Sequence, residues 1–132
     1  MKYIYPAIIS KEDDGYLVDF PDFESCYTDG DTWEEAIENA EDALALMLWS
    51  MESDKEAIPP ASNPAVIAVP EGAVLVCVKA DTLPVRKLND KRTVRKNITL
   101  PGWLDTIARE HNINFSKLMQ NALCKELKIT YS

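Results

Sequence analysis

A single amphipathic β-strand is predicted by the sequence Thr93-Val94-Arg95-Lys96-Asn97-Ile98-Thr99-Leu100-Pro101. Successive side chains of a strand point to opposite faces, so Ile98 and Leu100 lie together on one face. The opposite face carries the polar side chains of Arg95, Asn97 and Thr99. Pro101 ends the strand and suits the start of a helix, because its fixed φ is already helical.

Two amphipathic helices are predicted after this strand. Apolar residues recur at helical spacing from Trp103 to about Glu110 and again from Phe115 to Leu127, and Asn114 is expected to cap the second helix. A lone strand has no pairing partner, and about forty residues bury too little apolar surface to be stable alone. We therefore predict a homodimer through residues 93–127, with two strands forming an antiparallel ribbon over a shared helical core. Further association into a tetramer is left open.

The N-terminal part of the chain is predicted to contain a three-stranded meander. Its strands cover residues 3–9, 16–20 and 24–28, and Asp13-Asp14-Gly15 forms the first hairpin turn. Pro6 indicates an edge strand or a bulge, because proline cannot donate a ladder hydrogen bond.

A helix and a fourth strand are predicted to complete this part. Thr32 followed by Glu35 is a capping box, and the apolar spacing behind it continues to about residue 52. Residues 53–72 form a long proline-rich loop, and the apolar run 73–78 is expected in the middle of the sheet. The prediction is thus an α+β protein with a β-β-β-α-β domain over 1–80, a linker over 81–91 and a second domain over 92–132.

Charge divides the chain near the same place. Residues 1–80 hold 4 Lys and Arg against 17 Asp and Glu, whereas residues 81–132 hold 10 against 5. The basic part suits a polyanion such as DNA, and the acidic part would repel nucleic acid and attract a basic protein. A plainer alternative is that the acidic face is only solvated.

Catalysis is not expected of this chain. Carboxylates that hold catalytic metal ions must converge in space, whereas those near the strands fall in a turn, within a strand and after a proline break. These carboxylates are Asp13, Asp14, Asp19 and Asp22. The only histidine is His111, and the three cysteines lack metal-ligand spacing, so we expect neither a metal nor a cofactor. Three unpaired thiols indicate a cytoplasmic protein, and no apolar run is long enough to span a membrane.

Residues 94–101 and 113–123, with a helix between them, resemble the ribbon-helix-helix family of DNA-binding domains. The resemblance implies that three outward strand residues read bases in the major groove: Arg95, Asn97 and Thr99. It also implies a phosphate held at the start of the second helix by Asn114, Phe115, Ser116 and Lys117. Lys96 departs from the family pattern, which prefers an apolar residue there. The alternative is that the three strand residues only solvate an exposed face.

The N-terminal part resembles the HicB antitoxin family through the order of several short pieces. These pieces are residues 3–7, 15–23, 30–36 and 39–44 and the proline-rich loop at 58–64. The resemblance implies a shortened RNase H-like domain that binds and silences a small HicA-type mRNA-cleaving toxin. It further implies a C-terminal domain that binds the operator of its own operon.

An acidic domain could silence a ribonuclease by covering the basic surface that binds RNA. The candidate toxin contacts are the hairpin turn and the exposed side of the helix: Asp13, Asp14, Glu34, Glu38 and Glu41. The alternative function is a ribbon-helix-helix transcriptional regulator whose N-terminal domain binds a small ligand or a protein other than a toxin.

Overall fold

The computed structural model describes residues 1–130 and divides the chain into two compact units, Met1–Arg92 and from Thr93 onward. The first unit contains, in order, β1 (Lys2–Glu12), β2 (Gly15–Asp19), β3 (Tyr27–Gly30), α1 (Trp33–Ser53), a 3-10 turn (Pro64–Val66), β4 (Ala73–Asp81) and α2 (Leu83–Asn89). The second unit contains α3 (Gly102–Glu110) and α4 (Phe115–Leu127). The predicted α+β class is confirmed, while the last two residues of the predicted C-terminal domain lie outside the described residues.

The four strands form one antiparallel sheet in the order β3-β2-β1-β4. The predicted hairpin turn is present, because Glu12 of β1 pairs with Gly15 of β2. β1 is central rather than an edge strand, but its pairing with β2 begins only at Ile8. Pro6 therefore pairs with Cys77 of β4 on one side and lies beyond the end of β2 on the other. A proline is tolerated there because no ladder hydrogen bond is required of it.

The prediction that residues 73–78 lie in the middle of the sheet is wrong. β4 pairs only with β1 and occupies the edge of the sheet. Val78 and Ala80 are buried, but Cys77 is exposed and Val74 keeps 46% of its surface in contact with solvent. An apolar run indicates a buried strand only when both sheet faces are covered, and here a helix covers one face.

Helix α1 packs on the sheet as its apolar spacing predicts. The Thr32 side chain accepts a hydrogen bond from the Glu35 amide at 3.1 Å, which satisfies one free N–H group of the first turn. The buried helix residues are Ala36, Ala40, Leu44, Ala45 and Leu48. They form one core with sheet residues that include Tyr5, Ile9, Val18 and Phe20. Trp33 stays 40% exposed and lies against Tyr16, with ring centroids 4.4 Å apart.

The proline-rich segment after α1 is held against the sheet at two points. The Tyr5 hydroxyl donates to the Pro59 carbonyl, and the Ser62 amide donates to the Asp22 carboxylate at 3.0 Å. The Ser62 hydroxyl donates to the same carboxylate. The predicted loop is therefore present, and its anchors lie on residues separated from it by about forty positions in sequence or more.

The segment predicted as a linker, residues 81–91, is instead largely structured. β4 continues through Asp81, Thr82 is fully buried, and α2 follows with Pro84 in its first turn. A proline at this place starts a helix rather than breaking the chain, which explains the difference from the prediction. Arg86 of α2 donates a hydrogen bond to Glu52 of α1 at 2.8 Å, so α2 belongs to the first unit.

The second unit has the two predicted helices and the predicted break between them. Asn114 caps α4 by accepting a hydrogen bond from the Lys117 amide at 3.0 Å, and Asn112 has a left-handed φ of 54°. No regular structure is assigned to residues 93–100. A strand is defined by hydrogen bonds to a neighbour, and no neighbouring strand is present for this segment among residues 1–130 of a single chain.

Candidate partner-binding surfaces

The second unit leaves its apolar side chains uncovered. None of the described residues from 93 to 130 is buried, although both helices are amphipathic. Apolar side chains from the extended segment and both helices line a cleft of about 300 Å³. Its lining includes Ile98, Leu100, Leu104, Phe115, Leu118 and Met119. The lining of this cleft is entirely apolar, as in a hydrophobic core, but the cleft is open on one side.

The predicted base-reading residues lie in the extended segment of the second unit. Arg95, Asn97 and Thr99 are all exposed, and they alternate with Ile98 and Leu100, which line the apolar cleft. Lys96 is also exposed, so it is not part of an apolar face. The alternation expected of an amphipathic strand is therefore retained, because Ile98 and Leu100 line the cleft and the three polar residues do not.

The four predicted phosphate-contacting residues lie together at the start of α4, but they differ in environment. Ser116 and Lys117 are exposed. The Asn114 side chain is occupied as the helix cap, and Phe115 lines the apolar cleft. The Ser116 and Lys117 side chains are therefore available to an anion, together with the N–H groups of the first turn that the Asn114 cap does not occupy.

The hairpin turn of the first unit belongs to an acidic cleft of about 410 Å³. Asp13 and Asp14 are joined there by carboxylates from the neighbouring strand ends and from the start of α1. The cleft contains six carboxylates and no basic side chain: Glu12, Asp13, Asp14, Asp29, Asp31 and Glu35. No group of three or more His, Cys, Asp or Glu side chains within residues 1–130 is arranged to hold a metal ion.

The predicted toxin-binding residues fall into two groups. Asp13 and Asp14 line the acidic cleft, whereas Glu34, Glu38 and Glu41 are exposed on α1 and do not line it. Sequence reasoning missed Glu12, Asp29, Asp31 and Glu35, because the β2–β3 pairing brings β3 to the hairpin. The pairing of Tyr16 with Gly30 makes this contact. The sequence predicts the third strand over residues 24–28, but the strand covers Tyr27–Gly30, so the prediction places it two to three residues too early and does not bring Asp29 and Asp31 to the hairpin.

A hydrogen-bonded cluster joins β1, α1 and α2 at another place in the first unit. Tyr3 and Arg86 each donate to the Glu52 carboxylate at 2.8 Å. Burial alone would raise the pKa of Glu52, but these hydrogen bonds outweigh it and lower the pKa below its ordinary value. Burial, followed by the hydrogen bond to Glu52, raises the pKa of Tyr3 to about 12.

Cys26 of the first unit is not an activated nucleophile. Cys26 is buried, and this burial, with the nearby Asp19 carboxylate, raises the pKa of its thiol to about 11. At neutral pH it is therefore a protonated thiol. The Asp22 carboxylate, another candidate for metal binding, is occupied by Ser62. No helix of residues 1–130 combines the length and the hydropathy that crossing a membrane requires.

The sequence of this chain is similar to those of known proteins. A family model described as a HicB-like antitoxin of bacterial toxin–antitoxin systems matches residues 5–122. The sequence is similar to Antitoxin HicB 2 of Photorhabdus laumondii, with 28% identity over 95% of this chain and 94% of that protein.

Two solved structures are also similar. A chain of a toxin–antitoxin complex from Streptococcus pneumoniae has a TM-score of 0.62 at 22% identity, covering 96% of this chain and 99% of that one. This likeness concerns the fold alone. A chain of the HicA3 and HicB3 toxin–antitoxin complex has a TM-score of 0.52 at 32% identity, covering 60% of this chain and 99% of that one. With the family model matching most of its length, this chain belongs to the HicB-like antitoxins of bacterial toxin–antitoxin systems.

Proposed function

We propose that this chain is an antitoxin that captures a small basic HicA-type toxin with its first unit and binds the operator of its own operon with its second. The observation that carries the proposal is the division of charge between two independently packed units. Met1–Arg92 holds 8 Lys and Arg against 19 Asp and Glu, and residues 93–132 hold 6 against 3. Opposite charges on separate units suit two partners of opposite charge.

Toxin capture is supported by the first unit and by the relatives. The chain order β1-β2-β3-α1-β4 is the order that a shortened RNase H-like domain would have. A solved chain that is similar at 32% identity comes from the HicA3 and HicB3 toxin–antitoxin complex. A toxin that cleaves mRNA must present a basic surface to RNA, and the acidic cleft is a competing polyanion for that surface.

Dimerisation is supported by the uncovered cleft of the second unit. Leu118 keeps 57% of its surface exposed and Leu123 keeps 51%, which is unusual for apolar residues on an amphipathic helix. A second copy related by a two-fold axis would cover this cleft and pair the two extended segments as antiparallel strands. The result would be a ribbon-helix-helix dimer through residues 93–127.

DNA binding follows from the same pairing. Arg95, Asn97 and Thr99 already lie outside the apolar cleft, so the paired strands would present both sets of side chains on one exposed face. Arginine bonds well to guanine and asparagine to adenine in the major groove. Lys117 and the N–H groups at the start of α4 would contact the flanking phosphates.

The decisive experiment looks for a reading frame next to this gene that encodes a small basic protein, and expresses that protein alone and together with this chain. The expected results are growth arrest by the neighbour alone, rescue by this chain, a stable purified complex, and a gel shift with DNA from upstream of the operon. Rescue without any DNA shift would contradict the operator-binding half. A chain that shifts upstream DNA but rescues no neighbouring toxin would instead be the transcriptional regulator considered above.

A further inference from the structure

Helix α1 covers only one face of the four-stranded sheet, and the other face is rich in exposed apolar side chains. We call this second surface the outer face. Tyr27 is 65% exposed, Ile4 53% and Leu17 39%, and Cys77 is also exposed. Ile8 and Leu75 are half-buried at its centre. Large aromatic and aliphatic residues of this kind are costly to leave in water when they are adjacent.

The strand register makes these side chains neighbours. Ile8 of β1 pairs with Leu75 on one side and with Asp19 on the other, and Asp19 in turn pairs with Tyr27. Directly paired residues on one face have Cβ atoms about 4.5–5.5 Å apart, so Tyr27, Ile8 and Leu75 belong to a single row across the sheet. Leu17 and Cys77 lie in the adjacent rows. Leu17 is the diagonal neighbour of both Tyr27 and Ile8, so the apolar side chains form one patch. The Asp19 carboxylate lies within this patch, and Pro6, which pairs with Cys77, is fully buried.

The patch is continuous with the acidic cleft. Leu17 pairs with Asp29, and both residues line the cleft as well as the outer face. Asp19 adds a carboxylate inside the patch, while Lys79, beside Ile4, is a basic residue at the far end. One surface thus combines an apolar centre with six carboxylates along one border. This is the arrangement of a protein interface, in which a desolvated apolar core is flanked by charged residues.

We propose that the outer face is the surface on which the basic toxin binds, with Tyr27 and Leu17 as apolar anchors and the acidic cleft as the charged border. This inference rests on the function proposed above and specifies its binding surface. A nucleic acid would be repelled by the cleft carboxylates, and a second copy of the first unit would bring together two bodies of net negative charge. A small basic protein is the occupant whose charge complements this surface.

The exposed side of α1 is the weaker candidate. Glu34, Glu38 and Glu41 supply charge there, but exposed ion pairs contribute little binding energy each. Interfaces derive most of their affinity from buried aromatic and large apolar anchors, which the outer face has in Tyr27. Leu46, an apolar residue of α1 that is 56% exposed, offers a matched control for substitutions on the outer face.

The first test measures the affinity of the full chain for the purified HicA-type protein encoded beside it. Leu17→Lys and Tyr27→Lys should each weaken binding at least about tenfold, as expected for an anchor at the centre of an interface. Leu46→Lys makes the same chemical change on α1 and should leave the affinity within about twofold, as expected for a residue outside an interface. Circular dichroism and melting temperatures identify any variant that fails to fold.

The second test needs no substitution, because Cys77 is a native probe on the part of the outer face formed by the edge strand β4. Labelling with a maleimide, followed by peptide mass analysis, reports its accessibility in the wild-type chain. Saturating toxin should slow labelling of Cys77 at least about tenfold, as burial in an interface excludes solvent. Cys124 in the second unit should keep its rate, and Cys26 is already buried.

The outcomes separate the two proposals. A wild-type chain that does not bind the toxin at all refutes the antitoxin function itself. Normal binding by Leu17→Lys and Tyr27→Lys, with Cys77 unprotected in the complex, leaves the antitoxin function standing and overturns the outer face as its surface. Protection of Cys77 by raising the concentration of this chain alone would mean that a second copy occupies the face, which also overturns the inference.

Discussion

Replacing Gly30 by alanine tests how closely β3 approaches α1. A Cβ atom at this position would lie 2.4 Å from the Ala36 nitrogen and 2.6 Å from the Ala36 Cα. Normal contacts are about 3.5–4.0 Å, so the first turn of α1 would have to retreat by about 1 Å. Overpacking typically costs about 1–3 kcal/mol. The obstructing atoms are backbone and cannot rotate away, so we expect a loss near the upper end, about 3 kcal/mol.

Chemical and thermal unfolding of the first unit would measure this loss. Trp33 and Trp49 report on that unit, and a loss of about 3 kcal/mol corresponds to a melting temperature lower by about 12–24 °C for a domain of this size. Gly102→Ala is the control, since nothing lies within 4 Å of the added Cβ atom and alanine favours the helix that begins there. A loss below about 1 kcal/mol for Gly30→Ala would refute the close approach of strand and helix.

Three further predictions concern acid stability, assembly and DNA reading. Glu52→Gln should destabilise the first unit at pH 7, because the pKa of Glu52 is lowered in the folded state. The difference in stability from wild type should shrink as the pH falls through and below about 4, where the wild-type carboxylate becomes protonated. Urea unfolding midpoints at each pH measure this difference. Tenfold dilution should lower the melting midpoint reported by Trp103 and leave that of Trp33 and Trp49 unchanged, because in the proposed dimer only the second unit is covered by a partner copy. In the proposed dimer each substitution is present twice, so Arg95→Ala should relax base preference at one position in each operator half-site. Lys117→Ala should weaken binding to all sequences and reduce the salt slope by about 2, measured by fluorescence anisotropy.

Local chemistry made much of the fold predictable. The Asp-Gly hairpin, the Thr32 cap and the helical spacing of apolar residues each depend on a few neighbouring residues, and each is present in the structure. The Asn114 cap and the break before α4 were predictable for the same reason. These features need no knowledge of which distant segments meet.

Features that depend on distant pairing were not predictable. β4 lies at the sheet edge because it pairs with β1 and with no other strand. An apolar run in the sequence does not indicate how many strands it will pair with. Helix α2 is seven residues long, too short for a clear periodic pattern, and it is held by Val85 against the core and by the Arg86–Glu52 pair. The acidic cleft likewise required the register of β3, which brings Asp29 and Asp31 to the hairpin.

The two units leave apolar surface uncovered for different physical reasons. The first unit has a closed core that includes Phe20, Leu44 and Leu48, each without measurable exposure, so the exposed apolar side chains of its outer face are not needed to complete that core. The second unit has no buried residue among its described positions, so covering its cleft is a condition of its stability rather than an option. For that unit, folding and dimerisation would be a single event. An identical copy of the chain is the partner that is present whenever the chain itself is made. With the functions proposed above, a chain that combines both kinds of surface would remain assembled on DNA while its acidic unit gains or loses a partner.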